Sequence, residues 1–250
     1  MQVEWEITMK CNYDCFYCTN LNKGIYPELD RSKIRDFIQL LGEKYPGVEI
    51  FVFGGEPFVH PDIGFIIDCF NEFEIPFVIQ TNFSKHSINV MRTLADRKYT
   101  LQVSIHPTEL TLEELDEAMR VSANIRTIDV MYGAPNALDY YFKVKKLSDC
   151  EQVYLTPVTD FGDGRSDVLL ADYLEKARSP IYRDIVQFEE VKRLGFNRSE
   201  LWADIKFTTK GKPCLYKDKY YLYGPDLEMY NCCYRIKTNG ICPKNKCFLM

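Results

Sequence analysis

The order of elements along the chain predicts an α/β fold built from parallel βαβ units. Two observations carry this. Short apolar runs rich in β-branched residues alternate with amphipathic segments of helical period, giving six strands. The residues with chemical character cluster where those strands end, the edge at which α/β sheets hold their sites. Crossovers between parallel strands are right-handed. Periodicity alone does not choose between an open sheet and a barrel.

The elements follow in order. Val3 to Met9 forms a first strand that runs into a cysteine-rich loop. Arg31 to Tyr45 carries Ile34, Phe37, Ile38 and Leu41 at helical spacing, with Asp30 as N-cap. Val48 to Phe53 is a second strand. Pro61 to Phe73 is a helix with proline in its first turn. Pro76 to Thr81 is the third strand, His86 to Asp96 its helix, and Thr100 to Ile105 the fourth strand. Thr111-Leu-Glu-Glu114 has the form of a capping box and opens a helix to about Ala123. Thr127 to Tyr132, a helix from Asn136 to Leu147, and Glu151 to Thr156 complete the series.

Composition bounds the function. At 250 residues the chain suits one large domain with at most a small appendage. A formal charge of -5 and a pI near 5.4 argue against a general nucleic-acid or anionic-membrane surface. No apolar run approaches the ~20 residues that span a bilayer. The start, Met1-Gln-Val-Glu-Trp-Glu-Ile7, is acidic and lacks the basic region of a signal peptide. Ten cysteines without a signal peptide point to metal or cluster ligation in a reducing cytoplasm.

The cysteines of the first loop are the strongest functional signal. Lys10-Cys-Asn-Tyr-Asp-Cys-Phe-Tyr-Cys-Thr19 is a C-x3-C-x2-C run. Three thiolates on one loop can hold three corners of a [4Fe–4S] cube and leave one iron open to a cofactor. A disulfide would leave one cysteine over. A structural zinc normally takes four protein ligands, and this loop offers three. From spacing alone, cluster and zinc both stand. The second strand ends in Gly54-Gly55-Glu56-Pro57. Two glycines there let backbone approach a ligand closely, and Glu56 adds a carboxylate.

Together these two motifs resemble those of the radical S-adenosylmethionine (radical SAM) family. Cys11, Cys15 and Cys18 resemble its cluster loop, with the usual aromatic, Tyr17, before the last cysteine. Gly54 to Pro57 resembles its GGEP motif, which binds the amino group of the methionine part of SAM. The resemblance covers roughly residues 1 to 160 and implies a partial (β/α)6 TIM-like barrel. It also implies that the open iron chelates SAM and that one electron cleaves SAM to methionine and a 5′-deoxyadenosyl radical. That radical then takes a hydrogen atom from the substrate. An electron donor such as flavodoxin or ferredoxin is implied as partner. At the fourth strand's end, Ser104 is expected near the SAM ribose, and Asn82 near the methionine or ribose side. Ordinary turn capping is the competing role for both. His106 stands where an acid is more usual; it is expected to touch cofactor or substrate, or to shuttle a proton, with an ordinary loop histidine before Pro107 as the competing role. Arg120 and Arg126 are candidates for the SAM carboxylate.

A second cysteine group, Cys214, Cys232, Cys233, Cys242 and Cys247, lies near the C-terminus around a hairpin from Tyr220 to Tyr230 with Gly224-Pro225-Asp226 as its turn. Its spacing resembles twitch, the shortened form of the SPASM auxiliary-cluster subdomain. Cys214, Cys232, Cys242 and Cys247 are the expected ligands of a second, fully ligated [4Fe–4S] cluster, with zinc as the alternative. Cys232 and Cys233 point to opposite faces of a strand, so one of them ligates easily; Cys232 is taken. The expected division is a radical SAM barrel over 1–203, with its core at about 1–160, and an auxiliary-cluster subdomain over 204–250.

The expected activity is that of a radical SAM oxidoreductase or isomerase-type enzyme. Only ten residues precede Cys11, which leaves no room there for a leader-binding module and favours a small sugar- or nucleotide-type substrate. Peptide or protein modification is the second expectation. A non-catalytic iron–sulfur or zinc protein is the third.

Overall fold

The computed structural model describes residues 1–18, 29–121, 124–134, 136–158 and 219–230. Its centre is a mostly parallel open sheet of the partial TIM-barrel kind, with helices packed on one face. Strands β1 (Gln2–Thr8), β2 (Ile50–Gly54), β3 (Phe77–Thr81), β4 (Thr100–Ile105), β5 (Ile125–Tyr132) and β6 (Gln152–Pro157) lie side by side in chain order. All five pairings among them are parallel, so their C-terminal ends share one edge. Helices α1 (Arg31–Lys44), α2 (Ile63–Glu72), α3 (Lys85–Thr93), α4 (Leu112–Ala118) and α5 (Ala137–Leu147) make the crossovers.

Local signals set these elements. Asp30 caps α1 by accepting the Lys33 N–H, and Ser84 caps α3 by accepting that of Ser87. Thr111 and Glu114 complete a capping box. Two boundaries differ from the sequence reading. Helix α2 begins at Ile63 after Asp62, not at Pro61, because a 3-10 turn over Pro57–Val59, capped by the Glu56 side chain, intervenes. Helix α4 ends at Ala118, short of the expected Ala123, and β5 starts early, at Ile125.

Strand alternation gives the sheet two faces. Val3, Trp5, Ile7, Ile50, Val52, Ile79, Leu101, Val103, Ile105, Ile128, Val130, Tyr132, Val153 and Leu155 are buried in the core with the helices. Trp5 meets Phe37 of α1 edge-on at 5.0 Å and Phe70 of α2 at 6.3 Å. The opposite face is polar. Ser104 of β4 sits beside Asp129 of β5, Gln102 Nε2 donates to Asp129 at 3.1 Å, and the Thr156 hydroxyl donates to Asp129 at 2.9 Å.

The expected hairpin is present as β7 (Tyr220–Tyr223) and β8 (Met229–Tyr230). Its position adds something new: β7 pairs in parallel with β1 from Gln2–Tyr220 to Trp5–Tyr223 and extends the barrel sheet beyond its first strand. The Tyr223 hydroxyl lies 2.9 Å from both the Tyr45 hydroxyl and Lys44 Nζ, fastening the hairpin to the end of α1. No helix among the described residues is long and apolar enough to cross a membrane.

Candidate functional site

The turn after β2 is built around a buried carboxylate. Glu56 is fully buried, and Oε1 accepts from the Phe58 N–H at 3.1 Å and the Thr81 hydroxyl at 2.9 Å. Oε2 accepts from the Asn82 N–H at 2.6 Å. The Glu56 side chain therefore ties the end of β2 to the end of β3 instead of projecting from the edge. Burial pushes its carboxyl up to about 7, against the pull of those donors.

The two glycines before it serve a close backbone crossing. A Cβ on Gly54, whose φ is +149°, would lie 2.2 Å from the Thr8 carbonyl oxygen. One on Gly55 would lie 2.1 Å from that of Lys10. In the space so kept, the Gly55 N–H donates to Thr8 O and the Glu56 N–H to Lys10 O, both at 2.8 Å. The glycine turn thus grips the chain just before Cys11.

The cysteine loop is pinned on one side by β3. Asn82 Nδ2 donates to Asn12 Oδ1 at 2.9 Å and lies 3.8 Å from Cys11 Sγ. Asn82 Oδ1 accepts from the Ser84 N–H at 3.1 Å and the Ser87 hydroxyl at 3.3 Å. Asn12 Nδ2 donates to the Ser84 hydroxyl at 2.8 Å. The Tyr13 N–H approaches Cys11 Sγ at 3.4 Å, and the Cys18 N–H donates to Cys15 O at 3.0 Å, folding the loop on itself.

On the other side the loop rests on the ends of β4 and β5. His106 Nδ1 lies 3.5 Å from Cys15 Sγ and 2.9 Å from the Tyr17 hydroxyl. The Tyr17 and His106 rings stack, with centroids 5.9 Å apart. A Cβ on Gly133, just beyond β5, would stand 2.3 Å from the Tyr17 ring, so glycine makes the seat for Tyr17. The Asp14 N–H donates to Glu109 Oε2 at 3.3 Å. Burial and the nearby Glu109 push the Cys15 thiol up to about 12, and burial lowers the His106 imidazole to about 4.

The structure thus brings Cys11, Cys15, Cys18, Tyr17, Gly54, Gly55, Glu56, Pro57, Asn82, Ser104 and His106 to one edge of the sheet. Ser104 is buried and accepts from Gln80 Nε2 at 3.4 Å. Arg126 is a correction. It lies at the opposite, N-terminal edge, where both its Nη atoms meet the Glu49 carboxylate at 2.6 Å. Arg120 is exposed beyond α4. Cys214, Cys232, Cys233, Cys242 and Cys247 lie outside the described residues. Sequence reasoning missed Asn12, Ser84 and Ser87, and it read Gly133 only as the end of the fifth strand. Ser84 alone carried a local signal, as a cap residue before α3.

The loop fits an anionic iron–sulfur group. Cys11, Cys15 and Cys18 are not disulfide-bonded. A buried thiol such as Cys15 does not ionise unaided at neutral pH, and metal binding supplies the compensating charge. Two N–H donors face the Cys11 sulfur, and the His106 Nδ1 nitrogen lies beside that of Cys15.

Comparison with known proteins agrees with this geometry. Residues 5–106 match the family model of the Radical SAM superfamily. No curated protein matches the sequence. Streptococcus suis SuiB bound to S-adenosylmethionine has a similar fold, with a TM-score of 0.59 at 14% identity over 99% of this chain and 64% of SuiB. SuiB bound to precursor peptide SuiA gives a TM-score of 0.56 at 15% identity, over 99% of this chain and 63% of SuiB. The chain therefore spans less than two thirds of SuiB's length. AnSMEcpe with bound AdoMet and the Cp18Cys peptide gives 0.57 at 13% identity, over 98% of this chain and 76% of anSMEcpe. At these identities the likeness to the solved structures is one of fold. The chain is thus similar to the radical SAM superfamily over residues 5–106, less than half of its length.

Proposed function

We propose that the chain uses a [4Fe–4S] cluster on Cys11, Cys15 and Cys18 to cleave SAM and start a radical modification of an organic substrate. The observation that carries this is the cysteine loop itself: three cysteines on a loop whose start is held by the Gly54–Gly55 turn, with nitrogens facing the Cys11 and Cys15 sulfurs. Asn82, Ser104 and His106 stand at the neighbouring strand ends, where SAM would lie against Gly54 to Pro57. The bound cluster and SAM supply one-electron C–S cleavage and a 5′-deoxyadenosyl radical that takes hydrogen from the substrate. The protein's own part is positioning. The glycine turn fixes the start of the loop, Glu56 joins two strand ends, and Tyr17 and His106 support Cys15.

The substrate we favour is a peptide. The solved structures of similar fold include SuiB with precursor peptide SuiA and anSMEcpe with the Cp18Cys peptide. A small polar molecule is the second reading, favoured by the hydrogen-bonded pair Gln80–Ser104 and the group Gln102, Asp129 and Thr156 on the sheet face away from the helices. Cys214, Cys232, Cys242 and Cys247 are proposed to hold an auxiliary [4Fe–4S] cluster, or zinc, within a 204–250 subdomain. Flavodoxin or ferredoxin is the proposed electron donor, and the cytoplasm the proposed compartment.

The test is anaerobic reconstitution with iron and sulfide, then dithionite and SAM, with and without candidate peptides. Formation of 5′-deoxyadenosine and methionine supports the reading; SAM binding without cleavage favours a non-catalytic cluster protein. Iron and zinc counted before and after replacing Cys11, Cys15 and Cys18 with Ala separate the two groups. Iron that survives the triple replacement supports the auxiliary cluster.

A further inference from the structure

His106 ends β4 with its imidazole against the cysteine loop, held on two sides. The Tyr17 ring stacks on it at an interplanar angle of 12°, and Tyr13 meets it edge-on at 6.0 Å. One nitrogen, Nδ1, faces both the Cys15 sulfur at 3.5 Å and the Tyr17 hydroxyl at 2.9 Å. Turning Nδ1 away from the sulfur would break the Tyr17 contact as well.

The partner decides which ring nitrogen carries the proton. A thiol can donate; a thiolate bound to iron offers lone pairs alone. Against a ligated Cys15, the tautomer with the proton on Nδ1 donates to the sulfur, beside the Tyr17 hydroxyl, which also bonds Cys15 and Thr108. A hydrogen bond to a ligating sulfur stabilises the more negative, reduced cluster and raises its potential.

We propose that His106 is a positioning residue that sets the reduction potential of the SAM-binding cluster by donating from Nδ1 to Cys15 Sγ. This rests on Cys11, Cys15 and Cys18 holding that cluster. Tyr17 keeps the ring in register, and Gly133 keeps Tyr17 in place. His106 thus makes the cluster easier for an electron donor to reduce. The other two of the chain's three histidines are engaged elsewhere: His60 Nδ1 accepts from the Asp62 N–H, and His86 Nε2 lies 3.3 Å from Phe58 O.

The experiment is an EPR-monitored redox titration of the reconstituted full chain, following the cluster signal that changes when SAM is added. At a fixed potential, His106→Leu is expected to lower the reduced-to-oxidised ratio about three- to tenfold, tenfold being 59 mV for a one-electron couple. His106→Gln, whose amide N–H can reach the sulfur, is expected to titrate close to the wild type. Equal potentials for wild type and His106→Leu overturn the proposal while leaving the cluster site standing. A wild type with no SAM-responsive signal overturns both. Should His106→Leu load too little iron to titrate, 15N-histidine labelling of the wild type decides. A nitrogen coupling to the reduced cluster in pulsed EPR supports the proposal, and its absence overturns it.

Discussion

Glu56 Oε2 accepts the backbone N–H of Asn82 at 2.6 Å, and through that bond the turn after β2 and the end of β3 become one unit. The same carboxylate holds the Thr81 hydroxyl and the Phe58 N–H, and Asn82 in turn holds Asn12 beside Cys11. A buried acid thus supports the loop from below.

Glu56 should leave a signature in the pH dependence of stability. Its carboxyl is raised from 4.5 to about 7, so the folded state holds its proton more tightly than the unfolded chain. The stabilising contribution is full below pH 4.5 and is lost as pH rises through about 7. Glu56→Gln does not titrate and turns an amide donor toward another donor, which costs about 1–3 kcal/mol. Urea midpoints of wild type and Glu56→Gln should therefore differ most at about pH 5 and converge toward about pH 8. A constant difference would mean the three donors keep Glu56 ionised throughout.

Gly55→Ala should be severe. Its Cβ would meet the carbonyl oxygens of Lys10 at 2.1 Å and Met9 at 2.8 Å, both backbone atoms that cannot rotate away. Relieving the clash breaks the Gly55–Thr8 and Glu56–Lys10 bonds, for a combined cost of about 2–4 kcal/mol. Denaturant unfolding measures this, and a cost below about 0.5 kcal/mol would contradict the crossing described here.

Gly133→Ala should act on the cysteine loop more than on the fold. The added carbon pushes the Tyr17 ring, which carries Cys15 and Cys18 beside it. Iron bound at the loop should fall severalfold while the unfolding midpoint moves little. Adding Tyr17→Leu should recover part of the iron, a non-additivity that marks direct contact. Additive losses in the double variant would argue against a shared steric cause.

Arg126→Ala should be nearly silent. The Arg126–Glu49 fork is partly exposed at the edge remote from the cysteines, so its loss costs less than about 1 kcal/mol. SAM affinity by calorimetry should match the wild type. A marked loss of affinity would return Arg126 to the site.

What the sequence made legible was local. Asp30 and the Thr111–Glu114 capping box located helix starts, and strand alternation found all of β1 to β6. The cysteine run and Gly54–Pro57 were read as one constellation because both follow strand ends. Contacts between distant segments were not legible. Parallel pairing of β7 with β1 joins the two ends of the chain, and no local pattern encodes that partner. The glycines signalled close approach, but the oxygens of Thr8 and Lys10 are visible as the other side only in three dimensions. Arg126 was misplaced although the expected strand from Thr127 already set it at the N-terminal end, remote from the cysteine edge, as in the structure.

The central claim is that Cys11, Cys15 and Cys18 hold the cluster that cleaves SAM. The most direct measurement is 5′-deoxyadenosine by mass spectrometry from the reconstituted, dithionite-reduced chain given SAM, beside Cys11→Ala, Cys15→Ala and Cys18→Ala. The account predicts product from the wild type and none above background from each variant. Product from any of the three variants at the wild-type level would contradict it.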